Sequence, residues 1–320
     1  MRKMICLHGF TPEQQEQVRA IAAPPEWEVV FGKASEIDPQ HFRDAEVVCG
    51  WSSNVVKETL HSQSKLRWVQ GWSAGVDKLP LEKLEQHGVL LTNASGVHPK
   101  QMSETAFALL LGLTRNIHQA VRNQQARHWD PSGSYGEIHG KIIAIIGAGE
   151  IGVEIARLSK AFGMRVLGVR RSGKPAEFVD HMVDLNGLNG VLAQSDIVVN
   201  VLPSTDETKW LFDEARFDQF KQGACFINVG RGATVKTDAL VAALQDGRVA
   251  SAGLDVFEAE PLPEDHPLWT LGNVILTPHI GGATDRYNER AVSLFLDNLT
   301  FYLNGQLNEM INRVDYKKNY

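Results

Sequence analysis

The segment "KIIAIIGAGEIGVEIARLSKAFGMRVLGVRR", Lys141–Arg171, constrains the fold more than any other part of the chain. An apolar strand-like run, "KIIAIIG", passes directly into an apolar-periodic helix, "EIGVEIARLSKAF", and a second apolar run, "RVLGV", follows. This order predicts a strand–helix–strand unit. The turn between strand and helix holds Gly147, Gly149 and Gly152 in the spacing G-x-G-x-x-G. That spacing is weak by itself, but between a strand and a helix it points to a turn that receives a dinucleotide pyrophosphate. Gly147 makes the tight turn, Gly149 lets the backbone approach the ligand, and Gly152 lets the helix pack on the strand. The first helical amides, at Glu150 and Ile151, then face the phosphates. The alternative is three turn and packing glycines with no ligand.

Other short β-branched runs alternate with helical stretches along the whole chain. "MICLHGF", "WEVVFG", "AEVVCGW", "LRWVQGWS" and "VLLTN" form a first set; "KIIAIIG", "RVLGV", "DIVVNVL", "ACFINVG", "SAGLDVF" and "VILTPH" form a second. The alternation predicts two α/β units, each a parallel sheet covered by helices, with a ligand cleft between them. "KQMSETAFALLLGLTRNIHQAVRNQQARHW" reads as one long helix over Lys100–Trp129 joining the units, with Ser103–Thr105 suited to its beginning. The boundaries expected are 1–98 with 284–320 for one unit and 99–283 for the other.

The second strand of the motif ends where an acid usually hydrogen-bonds the adenosine ribose. Here Arg170 stands at that place, followed by Arg171, Ser172 and Lys174. A guanidinium fork suits a phosphate, so the residues favour NADP(H) over NAD(H). A solvated basic loop is the competing reading.

Composition excludes several function classes. The 320 residues carry a net charge of -6, which argues against a nucleic-acid or anionic-membrane binder. The longest apolar run, "AFALLLGL", is too short to span a bilayer, and the basic start "MRKMICLHGF" lacks a leader's apolar stretch and cleavage signal. Cys6, Cys49 and Cys225 lie far apart in apolar runs and read as buried, reduced thiols. A cytoplasmic protein is expected, with no metal.

"GWSAG", Gly71–Gly75, matches the nucleophile elbow of serine hydrolases, and His279 offers a distant base. An elbow serine should open a helix directly. Here Pro80 predicts that the next helix starts near Leu81. The hydrolase reading also leaves the glycine turn, Arg231 and Glu260 idle. Ser73, Ala74 and Gly75 are better read as a loop of small residues whose amides hold an anion such as a carboxylate.

Three strand-like runs end in ionisable residues: "CFINVGRG" at Arg231, "GLDVFEAEPL" at Asp255, Glu258 and Glu260, and "VILTPHIGG" at His279. Ligands of open α/β sheets sit at the carboxyl ends of strands. Reduction of a ketone by hydride needs a cation to orient the acid and polarise the carbonyl, a proton donor, and a partner that keeps the donor protonated. Arg231, His279 and Glu260 fit those needs in that order, since a carboxylate beside a histidine favours its protonated form. Taken singly, each has a structural alternative: a cap, a loop acid, a hydrogen-bonded core histidine.

These segments, in this order, resemble the D-isomer-specific 2-hydroxyacid dehydrogenases, the family that includes glyoxylate/hydroxypyruvate reductases and phosphoglycerate dehydrogenases. "GKIIAIIGAGEIG", "INVGRGATVKTDAL", "AGLDVFEAEPLPEDHPLW" and "VILTPHIGG" carry the resemblance. It implies a Rossmann cofactor domain and a flavodoxin-like substrate domain, both doubly wound, the latter completed by the C-terminal helix. It implies that Arg231 binds the substrate's carboxylate and carbonyl, that His279 is the acid/base with Glu260 as partner, and that the loop "GWSAGVD" holds the carboxylate on the amides of Ala74 and Gly75. Asp255 would meet the nicotinamide carboxamide, while Leu202, Pro203, Val229, Gly230 and His279 would line the cofactor. A homodimer formed through the cofactor domain is a further expectation. Arg170 in place of the acid resembles the family's NADPH-using reductases, so the expected activity is reduction of a small 2-keto acid such as glyoxylate or hydroxypyruvate. No regulatory extension follows Tyr320, which lowers the expectation of phosphoglycerate as substrate. An NAD-dependent phosphoglycerate dehydrogenase-like enzyme and a non-catalytic dinucleotide sensor are the rivals. Trp51 is either a pocket wall or a packing residue.

Overall fold

Parallel strands covered on both faces need apolar residues at every position, and the shortest runs of the chain have them. The structure, a computed structural model, describes residues 1–23, 25–76 and 79–316. The chain divides into two compact units, Met1–His98 with the segment from Thr284 onward, and Pro99–Ala283.

The first unit is built on β1 (Arg2–Cys6), β2 (Trp27–Phe31), β3 (Val47–Cys49), β4 (Trp68–Gln70) and β5 (Leu90–Thr92). They form one parallel sheet in the order β2-β1-β3-β4-β5, the flavodoxin-like arrangement. Alternate residues serve two cores. Ile5, Val48, Val69 and Leu91 face one side, where half-buried Trp51 also packs. Met4, Cys6, Val47, Cys49 and Trp68 face the other, against α1 (Pro12–Ala22) and the returning helix Tyr287–Leu303 through Val18, Val292, Phe295 and Leu299. A buried polar tie fixes that helix: Asn298 Nδ2 donates to Gln70 Oε1 at 3.0 Å, and Thr92 Oγ1 donates to the same oxygen at 2.8 Å. The remaining helices are α2 (Pro39–Arg43), α3 (Ser53–Thr59) and α4 (Leu81–Gln86). Cys6 and Cys49, distant in sequence, are buried register neighbours on β1 and β3; all three cysteines are free, and burial pushes the Cys225 thiol up to about 11.

The second unit contains β6 (Ile142–Ile146), β7 (Arg165–Val169), β8 (His181–Val183), β9 (Ile197–Asn200), β10 (Ala224–Asn228), β11 (Val249–Leu254) and β12 (Val274–Leu276). All pair in parallel, in the order β12-β11-β10-β9-β6-β7-β8. The order turns back on itself between β6 and β9, which is the Rossmann topology with one strand added. One face carries a phenylalanine cluster, Phe212, Phe217, Phe220 and Phe226; the other packs Ile143, Ile145 and Val166 under α5 (Pro99–Thr114) and α7 (Glu150–Ala161).

The single helix expected over Lys100–Trp129 is two. α5 ends at Thr114, and α6 (Ile117–Gln125) begins after Asn116, whose φ of 56° lies in the left-handed region. An asparagine tolerates that conformation better than most residues, and one such residue breaks the hydrogen-bond ladder. The start is also earlier than expected: Pro99 occupies the first helical turn, and Ser103 sits inside the helix with its hydroxyl turned back onto Lys100 O at 2.7 Å. Among the described residues, no helix is long and apolar enough to cross a membrane.

Candidate active site

The glycine turn takes the conformation its spacing implies. Gly147 has a φ of 103°, and a Cβ on Gly152 would stand 2.6 Å from Gly147 O, so strand and helix approach only because residue 152 is glycine. Gly149 is the N-cap of α7 and offers no side-chain cap. The amides of Glu150, Ile151 and Gly152 therefore have neither an intrahelical acceptor nor a capping group, and they point where the dipole favours an anion. A dinucleotide pyrophosphate fits this cradle.

Arg170 follows β7 directly, its amide bonded to Val183 O at 3.1 Å. Nη2 donates to Pro175 O at 3.1 Å, while the buried Nε has no hydrogen-bond partner among the described residues. A buried guanidinium nitrogen without an acceptor is costly, and a phosphate oxygen would satisfy it. Arg171 and Ser172 are exposed on the turn that follows.

Arg231 comes at the end of β10 and His279 after β12, both on the carboxyl edge of the seven-stranded sheet. His279 Nδ1 lies 2.7 Å from Glu260 Oε2. Against a carboxylate, Nδ1 is the donor, which leaves Nε2 for another partner. Phe257 N–H holds the other oxygen of Glu260 at 3.0 Å. Burial raises the Glu260 carboxyl, but the hydrogen bonds from His279 and Phe257 and the charges of His279 and Arg231 outweigh it and leave it below the usual carboxylate value. Arg231 is half-buried, with Nη1 bonded to Gly230 O at 3.0 Å. The structure thus brings together Arg231, Glu260 and His279, which sequence reasoning had grouped by chemistry alone.

Asp255 plays a part that the sequence did not suggest. Its side chain is buried, Oδ1 accepting from Thr277 Oγ1 at 2.6 Å and Ile280 N at 3.0 Å, and Oδ2 from Gly281 N at 2.9 Å. These bonds clamp both sides of His279, whose φ of 54° is in the left-handed region. Asp255 is a positioning group for the histidine turn; only Oδ2, with a single donor, keeps room for a further hydrogen bond.

A second buried network was missed. Asn200 Nδ2 donates to Asn228 Oδ1 at 3.0 Å and to Thr234 Oγ1 at 2.7 Å, and Thr234 Oγ1 donates to Arg231 O at 2.6 Å. Leu202 N and Gly230 N donate back to the two asparagines. The network shapes the ends of β9 and β10, where buried Leu202, Val229 and Gly230 and exposed Pro203 lie. The signal was available: "DIVVNVL" and "CFINVG" each place an asparagine inside an apolar run.

In the first unit, Ser73 Oγ donates to Gly75 O at 2.7 Å, and among the described residues the next helix, α4, begins at Leu81. That geometry is no nucleophile elbow. Asn93 Nδ2 holds Ala74 O at 2.9 Å, and the Tyr287 hydroxyl donates to Trp72 O. Ser73 O accepts from Ala94 N at 3.0 Å, while the amides of Ser73, Ala74, Gly75 and Val76 find no acceptor among the described residues. Asp77 of the same loop is outside the described residues.

The chain is similar to several proteins of known sequence or structure. Residues 107–281 match the family model described as D-isomer specific 2-hydroxyacid dehydrogenase, NAD binding domain. Glyoxylate/hydroxypyruvate reductase B from Klebsiella pneumoniae (strain 342) is 39% identical over 276 residues, 83% of this chain and 84% of that protein. The crystal structure of a D-isomer specific 2-hydroxyacid dehydrogenase family protein from Aeromonas salmonicida subsp. salmonicida A449 superposes with a TM-score of 0.84 at 35% identity, covering 98% of this chain and 99% of that one. The NADPH-dependent glyoxylate/hydroxypyruvate reductase from Sinorhizobium meliloti, solved with NADP and sulfate, gives a TM-score of 0.78 at 26% identity over 100% of both chains. Related along nearly its whole length to proteins of one kind, the chain belongs to the D-isomer specific 2-hydroxyacid dehydrogenase family and is an oxidoreductase of that family.

Proposed function

We propose that the protein reduces a small 2-keto acid, of the size of glyoxylate or hydroxypyruvate, to the D-2-hydroxy acid with NADPH. The pairing of His279 with Glu260 beside Arg231 carries this reading. The dinucleotide supplies hydride to the carbonyl carbon. The Arg231 guanidinium holds the substrate's carboxylate and draws electron density toward the carbonyl oxygen. His279 Nε2 gives its proton to the oxygen as negative charge develops there, and Glu260 steadies the ring through Nδ1–H before and after the transfer. The ring ends neutral and regains a proton from solvent, so one hydride and one proton have been added. The amides at Ser73, Ala74 and Gly75, unpaired among the described residues, provide a carboxylate cradle. The unit Pro99–Ala283 acts as the cofactor domain, with Leu202, Pro203, Val229 and Gly230 along the cofactor and Asp255 Oδ2 available to its carboxamide. The other unit acts as the substrate domain.

The preference for NADPH rests on the unsatisfied Nε of Arg170 and on the absence of an acid at that strand end. The reductase from Sinorhizobium meliloti, described as NADPH-dependent, supports it. A matched comparison of NADPH and NADH over a panel of keto acids, with Arg170→Asp alongside, tests it. NADPH should be favoured by about tenfold or more, and Arg170→Asp should remove that preference. A wild-type preference for NADH would overturn it.

We further propose a homodimer through this unit. α6 buries none of its residues, and Ile117 (53% exposed), Val121 (48%), Trp129 (93%) and Tyr135 (52%) present apolar surface on α6 and the segment after it.

A further inference from the structure

The five-stranded sheet runs β2-β1-β3-β4-β5, so its strand order turns back between β1 and β3. Ligands of open α/β sheets bind outside the carboxyl ends of the strands at such a switch point. Here β1 ends in Leu7-His8-Gly9, β3 in Gly50-Trp51-Ser52, and neighbouring β4 in the Gly71–Gly75 loop. His8 lies flat on Trp72, ring centroids 4.4 Å apart and planes 8° apart. Its Cδ2–Nε2 edge rests against Gly50: a Cβ there would stand 2.7 Å from Cδ2 and 2.8 Å from Nε2, and the glycine φ is 95°. The ring is thus fixed in place and half-buried, with no hydrogen bond to either nitrogen among the described residues. Beside Gly50 on the same strand end, the buried Ser52 Oγ has no hydrogen-bond partner among the described residues. Native proteins leave few buried polar groups unsatisfied, and Ser52 Oγ is one, on a strand end that flanks the switch point.

We propose that His8 selects the substrate: its imidazole hydrogen-bonds a hydroxyl on the carbon beyond the keto group, so that a 3-hydroxy-2-keto acid is favoured over its unsubstituted and phosphorylated counterparts. The inference rests on the reductase reading above. The chain itself supplies the geometric reason. Trp72, on which His8 is stacked, immediately precedes the Ser73–Gly75 amides that would hold the carboxylate. Burial lowers the His8 pKa to about 4, so the ring is neutral near pH 7. A neutral imidazole presents one donor and one acceptor, which matches a hydroxyl, itself a donor and an acceptor. It supplies no positive charge of its own for a phosphate dianion.

The test compares kcat/KM on hydroxypyruvate, pyruvate and glyoxylate for wild type, His8→Phe and His8→Gln. Glyoxylate has no third carbon and serves as an internal control. The expected result is a fall of about tenfold or more on hydroxypyruvate for His8→Phe, with pyruvate and glyoxylate within about twofold of wild type. His8→Gln, which keeps a donor and an acceptor, should recover part of the loss on hydroxypyruvate. Equal losses on all three acids would make His8 a packing residue and overturn the inference, as would no loss at all. If His8→Phe does not fold, His8→Ala takes its place: a fall of about tenfold on hydroxypyruvate with pyruvate and glyoxylate held supports the inference, and unchanged selectivity overturns it. Wild-type protein inactive on every keto acid would refute the reductase reading itself, an outcome distinct from those that refute only the role of His8.

Discussion

Replacing Asp255 by asparagine changes a single atom type at the centre of the histidine turn, and the structure gives its cost. The carboxylate accepts three hydrogen bonds, from Thr277 Oγ1, Ile280 N and Gly281 N. Asparagine keeps one oxygen for Thr277 and Ile280 but turns an amide NH₂ toward the Gly281 N–H, donor against donor. Hydrogen bonds to a charged group contribute about 1.5–3 kcal/mol each, so losing one and burying an unpaired donor costs about 3 kcal/mol. For a unit of this size that lowers Tm by about 6–12 °C. His279, held at a φ of 54° by those bonds, loses its placement, and a displacement of about 1 Å at a reacting group costs about a hundredfold in kcat. Thermal melting followed by steady-state reduction of the best keto acid measures both. Thr277→Val is the control: it removes one donor, at about 1.5 kcal/mol, and leaves both amide bonds, so Tm should fall by about 3–6 °C and kcat by less than about tenfold. If Asp255→Asn melts and turns over like wild type, the clamp has no energetic content and the argument is wrong.

Glu260 has a depressed carboxyl, so its pairing with His279 is complete above the ordinary carboxylate value of 4.5 and is lost only as pH falls through the lower folded value. The reductive kcat/KM should therefore show no acid limb from Glu260 between about pH 5 and pH 8, and Glu260→Gln should cut kcat about a hundredfold in that range. Gly152→Val forces a side chain against Gly147 O and should weaken dinucleotide binding at least about tenfold by calorimetry, with the far-UV spectrum retained. Ile117→Asp combined with Val121→Asp should convert a dimer into a monomer in sedimentation at micromolar protein, because it charges the apolar surface that α6 leaves uncovered.

Much of this was readable from local pattern. "KIIAIIGAGEIGVEIARLSKAF" encodes strand, turn and helix within neighbouring residues, and β6 and α7 lie where it places them. Arg231, Glu260 and His279 could be grouped from the sequence because each follows an apolar run with an ionisable residue, and the structure sets His279 against Glu260. What escaped depended on a single dihedral angle or on partners far along the chain. The break between α5 and α6 rests on the left-handed Asn116. The contacts of Asp255 come from Thr277, Ile280 and Gly281, in a later strand and turn, so its sequence position revealed a strand end and not a clamp. Cys6 and Cys49 become neighbours only through the register of β1 and β3, and His8 acquires its stacking partner only when β4 is placed two strands away. The asparagines at 200 and 228 were visible as polar residues in apolar runs, but their joint role needs β9 and β10 side by side.

The central claim is that His279, held by Glu260, is the proton donor in an NADPH-driven reduction. Its most direct measurement is kcat/KM for NADPH-dependent reduction of glyoxylate and hydroxypyruvate by wild type and His279→Asn, with NADPH binding measured on both proteins. The account predicts turnover by wild type, a loss of about 10²–10⁴-fold in the variant, and NADPH affinity nearly unchanged. Equal turnover by the two proteins, or none by wild type on either acid, would contradict it.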